Sequence, residues 1–299
     1  MSQITASRKA SFYILAAVYF SAAVLGFLTY RFVSFGNVNS FWALFIADVI
    51  ATIWVWMYGM YYKNVSVYDP YWSVLPPVML TAWSVHCGSI TLPGVLLLIA
   101  VWYWGIRLTG NWAYTFRNLD TEDWRYTKYR TGQKPFIFQI INFFGLNMMP
   151  TIVVFLAMLP GLDLISPNVE TVYTVETVYT PSLHWAWIGF AVCIAAATIQ
   201  LIADTQRHRF AKEHKGEVCK VGLWKHGRHP NYFGEISMWW GVWIMFVSVN
   251  GFTNHLWYLV GPVAMTCLFL FISIPLMEKR QLQNKQGYAQ YKKETRILI

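Results

Sequence analysis

The chain has 299 residues, of which 56% are hydrophobic, 18% aromatic and only 12% charged. A soluble domain of this length is far less apolar, so the sequence reads as an integral membrane protein. Its formal charge of +9 reflects where Lys and Arg stand relative to a membrane and excludes a nucleic-acid partner as the reason for it.

In chain order, Arg8 and Lys9 precede an apolar run from Ser11 to Val33 that has no small-residue cleavage site, which reads as a retained first span. Further runs of about twenty apolar residues follow at Phe41–Tyr62, Val74–Leu92, Pro93–Leu108, Phe136–Leu159, Leu183–Ala203, Tyr232–Val249 and His255–Met277. The expected fold is an all-α polytopic membrane bundle of about eight helices, or seven if the short third and fourth form one irregular pair meeting in a tight turn at Leu92–Pro93–Gly94. Every Lys and Arg except Arg31 falls in segments that alternate onto one side, which predicts cytoplasmic N- and C-termini. The outer loop from Gly161 to Ser182 has no Lys or Arg and repeats ETVYT at Glu170–Thr174 and Glu176–Thr180, a pattern suited to a short strand pair. Cys87, Cys193, Cys219 and Cys267 lack metal-type spacing, so neither a metal nor structural disulfides are expected.

The informative polar residues gather at the cytoplasmic ends of the spans. Tyr103, Trp104 and Arg107 close the fourth apolar run, and the loop after it, RNLDTEDWRYTKYR, can pair Glu122 and Asp123 with Arg117 and Arg125. Gln200, Asp204 and His208 recur every four residues and form one stripe, with Arg207 and Arg209 beside it. The stretch Gly222–Glu235, GLWKHGRHPNYFGE, places Pro230 in the first turn of a helix with Arg228 and His229 just before it. Cations, open N–H groups and the positive helix end together outline a site for a phosphate or carboxylate. Asn231 and Glu235 follow at i and i+4, so Glu235 is carried one turn into an apolar helix, where an acid is ordinarily functional. The tail EKRQLQNKQGYAQYKKE reads as an interfacial helix broken near Gly287, with Glu278 at the membrane edge and cations suited to anionic lipid headgroups. Two further intramembrane groups, Asp48 and His86, read as packing or helix-contact residues.

Asp204 with Gln206 and Phe210, then GLWKHGRHPNYFGE, then Glu278 with GYAQYKKET, resemble the DUF1295 group of the steroid 5-alpha reductase superfamily, and DPYW, Trp104–Arg107 and EDWRY extend the likeness back to about Asp69. The resemblance divides the chain into residues 1–66, two spans without family signal, and residues 67–299, a reductase-like membrane domain whose cofactor region is 200–299. It implies an enzyme of the endoplasmic reticulum or a bacterial inner membrane that uses NADPH to reduce a conjugated double bond of a lipid or sterol-like substrate. By position it implies cofactor contacts from Arg107, Gln200, Asp204, Arg207, Arg228, His229, Asn231, Tyr232, Glu235 and Glu278. The helix start DPYWSVLPP lacks the Glu with which the reductases bind a carbonyl oxygen, which leaves Tyr103 and Asp69 as candidate catalytic proton donors; Asp69 also reads as a helix-entry cap. No Rossmann fingerprint is present, as expected for a cofactor held between membrane helices. The RHPxYxG loop with a later Glu is also similar to isoprenylcysteine carboxyl methyltransferases, which implies S-adenosylmethionine as the alternative cofactor. A non-enzymatic lipid-binding membrane protein is the third reading.

Overall fold

The computed structural model describes residues 7–36, 38–88, 90–165, 183–251 and 256–299. They form ten helices: α1 (Arg8–Phe35), α2 (Ser40–Tyr61), α3 (Tyr71–Cys87), α4 (Leu92–Thr115), α5 (Trp124–Arg130), α6 (Pro135–Ile165), α7 (Leu183–Glu213), α8 (Pro230–Asn250), α9 (Leu256–Asn284) and α10 (Tyr288–Glu294). No strand occurs among the described residues, and both ETVYT segments lie outside them. Six helices, α1, α2, α4, α6, α7 and α9, are long and apolar enough to cross a membrane. The chain is a polytopic membrane helical bundle. Of the other two expected spans, α3 is 17 residues long and holds Pro76 and Pro77, and α8 dilutes its apolar residues with Asn231, Glu235 and two glycines.

The turn before α4 falls earlier than the sequence suggests. Gly88 takes a left-handed φ of 69°, whereas Leu92–Pro93–Gly94 is the first turn of α4, capped by Thr91 through a 3.4 Å bond to the Gly94 N–H. Proline suits that first turn, where its missing N–H has no partner to lose.

The chain divides into two compact units, Met1–Leu75 with Leu108–Phe155, and Pro76–Arg107 with Leu156–Ile299. In the first, Leu15, Val18 and Ala22 fall on one face of α1 at helical spacing and pack with Ala51, Val55, Tyr68, Tyr71 and Phe116. Asn64 ties the loops together, donating to the Leu119 carbonyl at 2.6 Å and accepting from the Ser66 N–H at 2.8 Å. Asp123 caps α5 and pairs with Arg125 at 2.8 Å. Glu122 pairs with Arg130 at 2.6 Å, not with Arg117, because it turns toward the Val65 N–H, where Arg130 also reaches the Lys63 carbonyl. Residues Ile141–Met148 of α6 wind as a π-helix in which Asn147 bonds back to Asn142.

In the second unit α7 and α8 touch through small residues. A Cβ at Gly241 would stand 2.5 Å from Cys193 Sγ, and one at Gly234 would stand 2.5 Å from Gln200 Cγ and 2.6 Å from the Ala196 carbonyl. Such close approach is how helices gain packing contacts where lipid offers no hydrophobic drive. It also draws the polar faces of the two helices together. After α9, Lys285 leaves the helical conformation and Gly287 takes φ 81° before α10 begins, the break that the tail sequence suggests.

Candidate functional site

Three helices of the second unit bring their polar residues to one place. On α4, Trp104 and Arg107 lie one turn apart; on α7, Gln200 and Asp204 do; and on α8, Asn231, Glu235 and Trp239 repeat every fourth residue. Arg107, only 7% exposed, is the hub. Its Nη1 donates to Asp204 Oδ2 at 3.1 Å, its Nη2 donates to Gln200 Oε1, and Glu235 Oε2 stands 4.0 Å from Nη2. Asn231 reaches Asp204 Oδ1 at 3.4 Å. The Glu235 carboxylate is held by two indoles, Trp104 Nε1 on Oε2 at 3.0 Å and Trp239 Nε1 on Oε1 at 3.1 Å.

One guanidinium faces two carboxylates, and the neutral N–H donors of Trp104, Trp239 and Asn231 meet the carboxylate oxygens that it leaves over, as a low-dielectric interior demands. Yet three polar atoms of this cluster, Arg107 Nε, Gln200 Nε2 and Asn231 Oδ1, are buried and have no hydrogen-bond partner among the described residues. Buried polar groups are ordinarily satisfied, so two spare donors and one spare acceptor in one cluster call for an explanation.

A second cluster surrounds the start of α8. A 3-10 turn at Gly222–Lys225 leads to His229, the residue before Pro230. Arg228 is buried, donating from Nε to Glu278 Oε1 at 2.7 Å and from Nη1 to the carbonyls of Lys292, at 2.9 Å, and Thr295. Lys292 meets the other Glu278 oxygen at 2.7 Å, and His229 Nε2 lies 3.4 Å from Oε1. Burial pushes the His229 imidazole below its ordinary range against the pull of Glu278. The tail closes over the loop: the backbone N–H of Arg228 donates to Arg296 O at 2.9 Å and that of His229 to Ile297 O at 3.1 Å. Tyr232 stacks on His229 with centroids 5.2 Å apart.

Beside this cluster opens a cleft lined by Arg207, Cys219, Trp224, Arg228, His229, Lys285, Tyr288 and Tyr291 among others. Arg207 lies over the Trp224 ring, 5.2 Å from its centroid. Lys285 is pushed down by burial and then by the nearby Arg207 charge. The cleft is cationic with aromatic walls, a lining that suits a phosphate and a ring system. Among the described residues no group of three His, Cys, Asp or Glu side chains is placed to hold a metal ion.

Nine of the expected cofactor residues, all but Tyr232, thus belong to the buried cluster, to the Glu278 cluster or to the cleft wall, and Tyr232 stacks on one of them. The proton-donor candidates have other surroundings. Tyr103 shares a 3.1 Å hydrogen bond with Thr198 in the second unit. Asp69 belongs to the first unit, where it accepts from the Tyr126 hydroxyl and faces Arg125 Nη2 at 3.9 Å. Burial raises its carboxyl to about 6 despite Arg125 and Tyr126. Sequence reasoning missed the part of Trp239, although its i+4 spacing from Glu235 was visible, and also Lys285, Tyr288, Tyr291 and Lys292, which only the folded-back tail brings in.

Compared with known proteins, the chain is 22% identical over 234 residues to an uncharacterized protein of Schizosaccharomyces pombe, covering 68% of this chain and 63% of that one. It therefore spans less than two thirds of that relative's length. No solved structure matches. The model of the DUF1295 family, described as a protein of unknown function, matches residues 55–295 and so takes in both clusters and the cleft. The chain belongs to the DUF1295 family.

Proposed function

We propose that this protein is a membrane-embedded, NADPH-dependent reductase acting on a conjugated double bond of a lipid or sterol-like molecule. The observation that carries this reading is the unmet set in the buried cluster: the Arg107 and Gln200 N–H donors and the Asn231 acceptor. A carboxamide, with one carbonyl and one NH₂, is their hydrogen-bonding complement. The cationic cleft, which shares Arg228 and His229 with the Glu278 cluster, suits the phosphates of the same molecule. Bound there, NADPH would supply the hydride.

The residues of the chain would do the rest. Arg107, Gln200 and Asn231 would orient the amide, while Asp204 and Glu235 hold Arg107 in place. Arg207 and Lys285 would meet phosphate charge in the cleft. Tyr103, one position before Trp104 and in the same unit, is the candidate to pass a proton to the reduced bond.

The test is cofactor identity. The detergent-purified protein is titrated with NADPH, NADH and S-adenosylmethionine while its melting temperature is followed. NADPH is expected to raise the midpoint in a saturable way. Stabilisation by S-adenosylmethionine alone would replace the reductase with a methyltransferase.

A further inference from the structure

The first unit contains a polar seam that the proposed reaction leaves unused. Asp48 lies inside α2, 1% exposed. Its Oδ1 accepts from the Tyr71 hydroxyl at 2.9 Å, whereas its Oδ2 is buried with no partner among the described residues. One turn along α2, Thr52 stands near the Tyr71 hydroxyl, close enough to act on it electrostatically. The Thr52 hydroxyl stands 2.9 Å from that of Thr151 on α6, and Thr151 stands 2.7 Å from the Tyr68 hydroxyl. All five side chains are buried. Tyr19 packs edge-on against Tyr71 with centroids 6.0 Å apart, but gives its hydroxyl to the Val67 carbonyl and so stands outside the line.

Among the described contacts, no Lys, Arg or His bonds to Asp48. An ionised carboxylate here, with one donor on one oxygen, would leave a charge largely unpaired inside a membrane span, at a cost of several kcal/mol or more. A neutral carboxyl with an unpartnered O–H costs only about 1–3 kcal/mol. Holding the proton at pH 7 costs a further ~4 kcal/mol relative to a free Asp, and the burial of Asp48 inside a span with Oδ2 unmet outweighs it.

We infer that Asp48 holds a proton on its carboxyl, and that the hydroxyls of Tyr71, Thr52, Thr151 and Tyr68 are the path along which this proton exchanges. On release, Asp48 turns its O–H to Tyr71 and passes the proton on. Tyr71 gives its own hydrogen to Thr52 as the two hydroxyls close to hydrogen-bond distance, Thr52 to Thr151, and Thr151 to Tyr68, which is itself buried and passes one to water only as its loop opens. Each O–H broken is matched by one formed, and uptake runs the same steps backwards. Thr151 can alternatively point its hydrogen at the Asn147 carbonyl, 3.0 Å away. That rotation interrupts the line without moving a heavy atom.

The test is infrared difference spectroscopy on the membrane-reconstituted protein at pH 7, recorded as wild type against Asp48→Asn so that the other carboxyls cancel. Labelling Asp with carbon-13 at the side-chain carboxyl assigns any acid carbonyl band to Asp without a variant. The wild type is expected to show such a band, Asp48→Asn to lose it, and Thr151→Val to keep it while slowing its response to D₂O by about tenfold or more, the size of one lost hydrogen bond. No Asp acid band in the labelled wild type, or one undiminished in Asp48→Asn, overturns the protonated carboxyl. Wild-type exchange in Thr151→Val overturns the path.

Discussion

Trp104 and Glu235, 131 residues apart, are joined by a 3.0 Å hydrogen bond from the indole N–H to Oε2. Trp239 takes the other carboxylate oxygen, so Glu235 spends both oxygens on indoles and acts on the site through Arg107. Gln at this position can accept only on its oxygen, leaving one indole facing an NH₂ group. Glu235→Gln is therefore expected to fold and insert, to lose about 1–3 kcal/mol of stability, and to bind NADPH more weakly as Arg107 loses one of its two acids. Thermal denaturation with a cofactor titration checks both; an NADPH affinity equal to wild type would detach Glu235 from the site.

The α7–α8 crossing yields a sharper contrast. Gly234→Ala drives a methyl into the Ala196 carbonyl and the Gln200 side chain, and is expected to destabilise the protein by about 1–3 kcal/mol. Gly110→Ala, on α4 with open space around it, is expected to be neutral or to gain up to about 1 kcal/mol from helix propensity. Melting temperatures of the two variants in one detergent decide this; equal midpoints would mean that the helices can separate at no cost.

Arg228 makes a fork of bonds that Lys cannot reproduce. Arg228→Lys is expected to keep the charge but lose the carbonyls of Lys292 and Thr295, loosening the tail and raising proteolysis between α10 and the end of the chain. Arg228→Ala leaves Glu278 with Lys292 and His229 alone, and is expected to cost about 3–5 kcal/mol of stability, with NADPH affinity falling by a few kcal/mol as well. Limited proteolysis, read beside NADPH titration, separates the two effects. A tail as protected in Arg228→Lys as in the wild type would mean that the fork adds nothing to the latch.

Asp69 predicts a pH dependence of definite sign. Its folded-state carboxyl, at about 6, lies above the 3.8 of a free one, so the folded protein binds this proton more readily. Its contribution thus favours folding most below about 4, fades as pH rises through 6, and amounts to about 3 kcal/mol across that window. Asp69→Asn, which keeps an acceptor for Tyr126, is expected to be more stable than wild type at pH 7 and to lose this slope. Denaturation curves at pH 5 and pH 7 test it, and a slope unchanged by the substitution would assign the effect elsewhere.

The spans were legible because hydrocarbon demands long apolar runs, and the pairs Gln200 with Asp204 and Asn231 with Glu235 were legible because a helix repeats every 3.6 residues. Arg107 was legible as a cation at a helix end, but not as the hub of three helices, since that depends on packing between distant segments. Arg228 shows the limit most clearly. Sequence alone marks it as a cation before a helix, whereas the number of its donors turned inward depends on a tail that returns from more than sixty residues away. The turn before α4 was misplaced for a local reason: proline and glycine punctuate turns and first helical turns alike.

The pairing of Arg228 and His229 with Arg296 and Ile297 also orders events in time. During synthesis α8 is made long before residues 292–297, so the RHP loop must wait, exposed and with Arg228 lacking its carbonyl partners, until that tail has left the ribosome and folded back. Whatever the cleft binds, it can be bound only once Lys285, Tyr288 and Tyr291 have been made and have folded back, which makes capture of the ligand a late step.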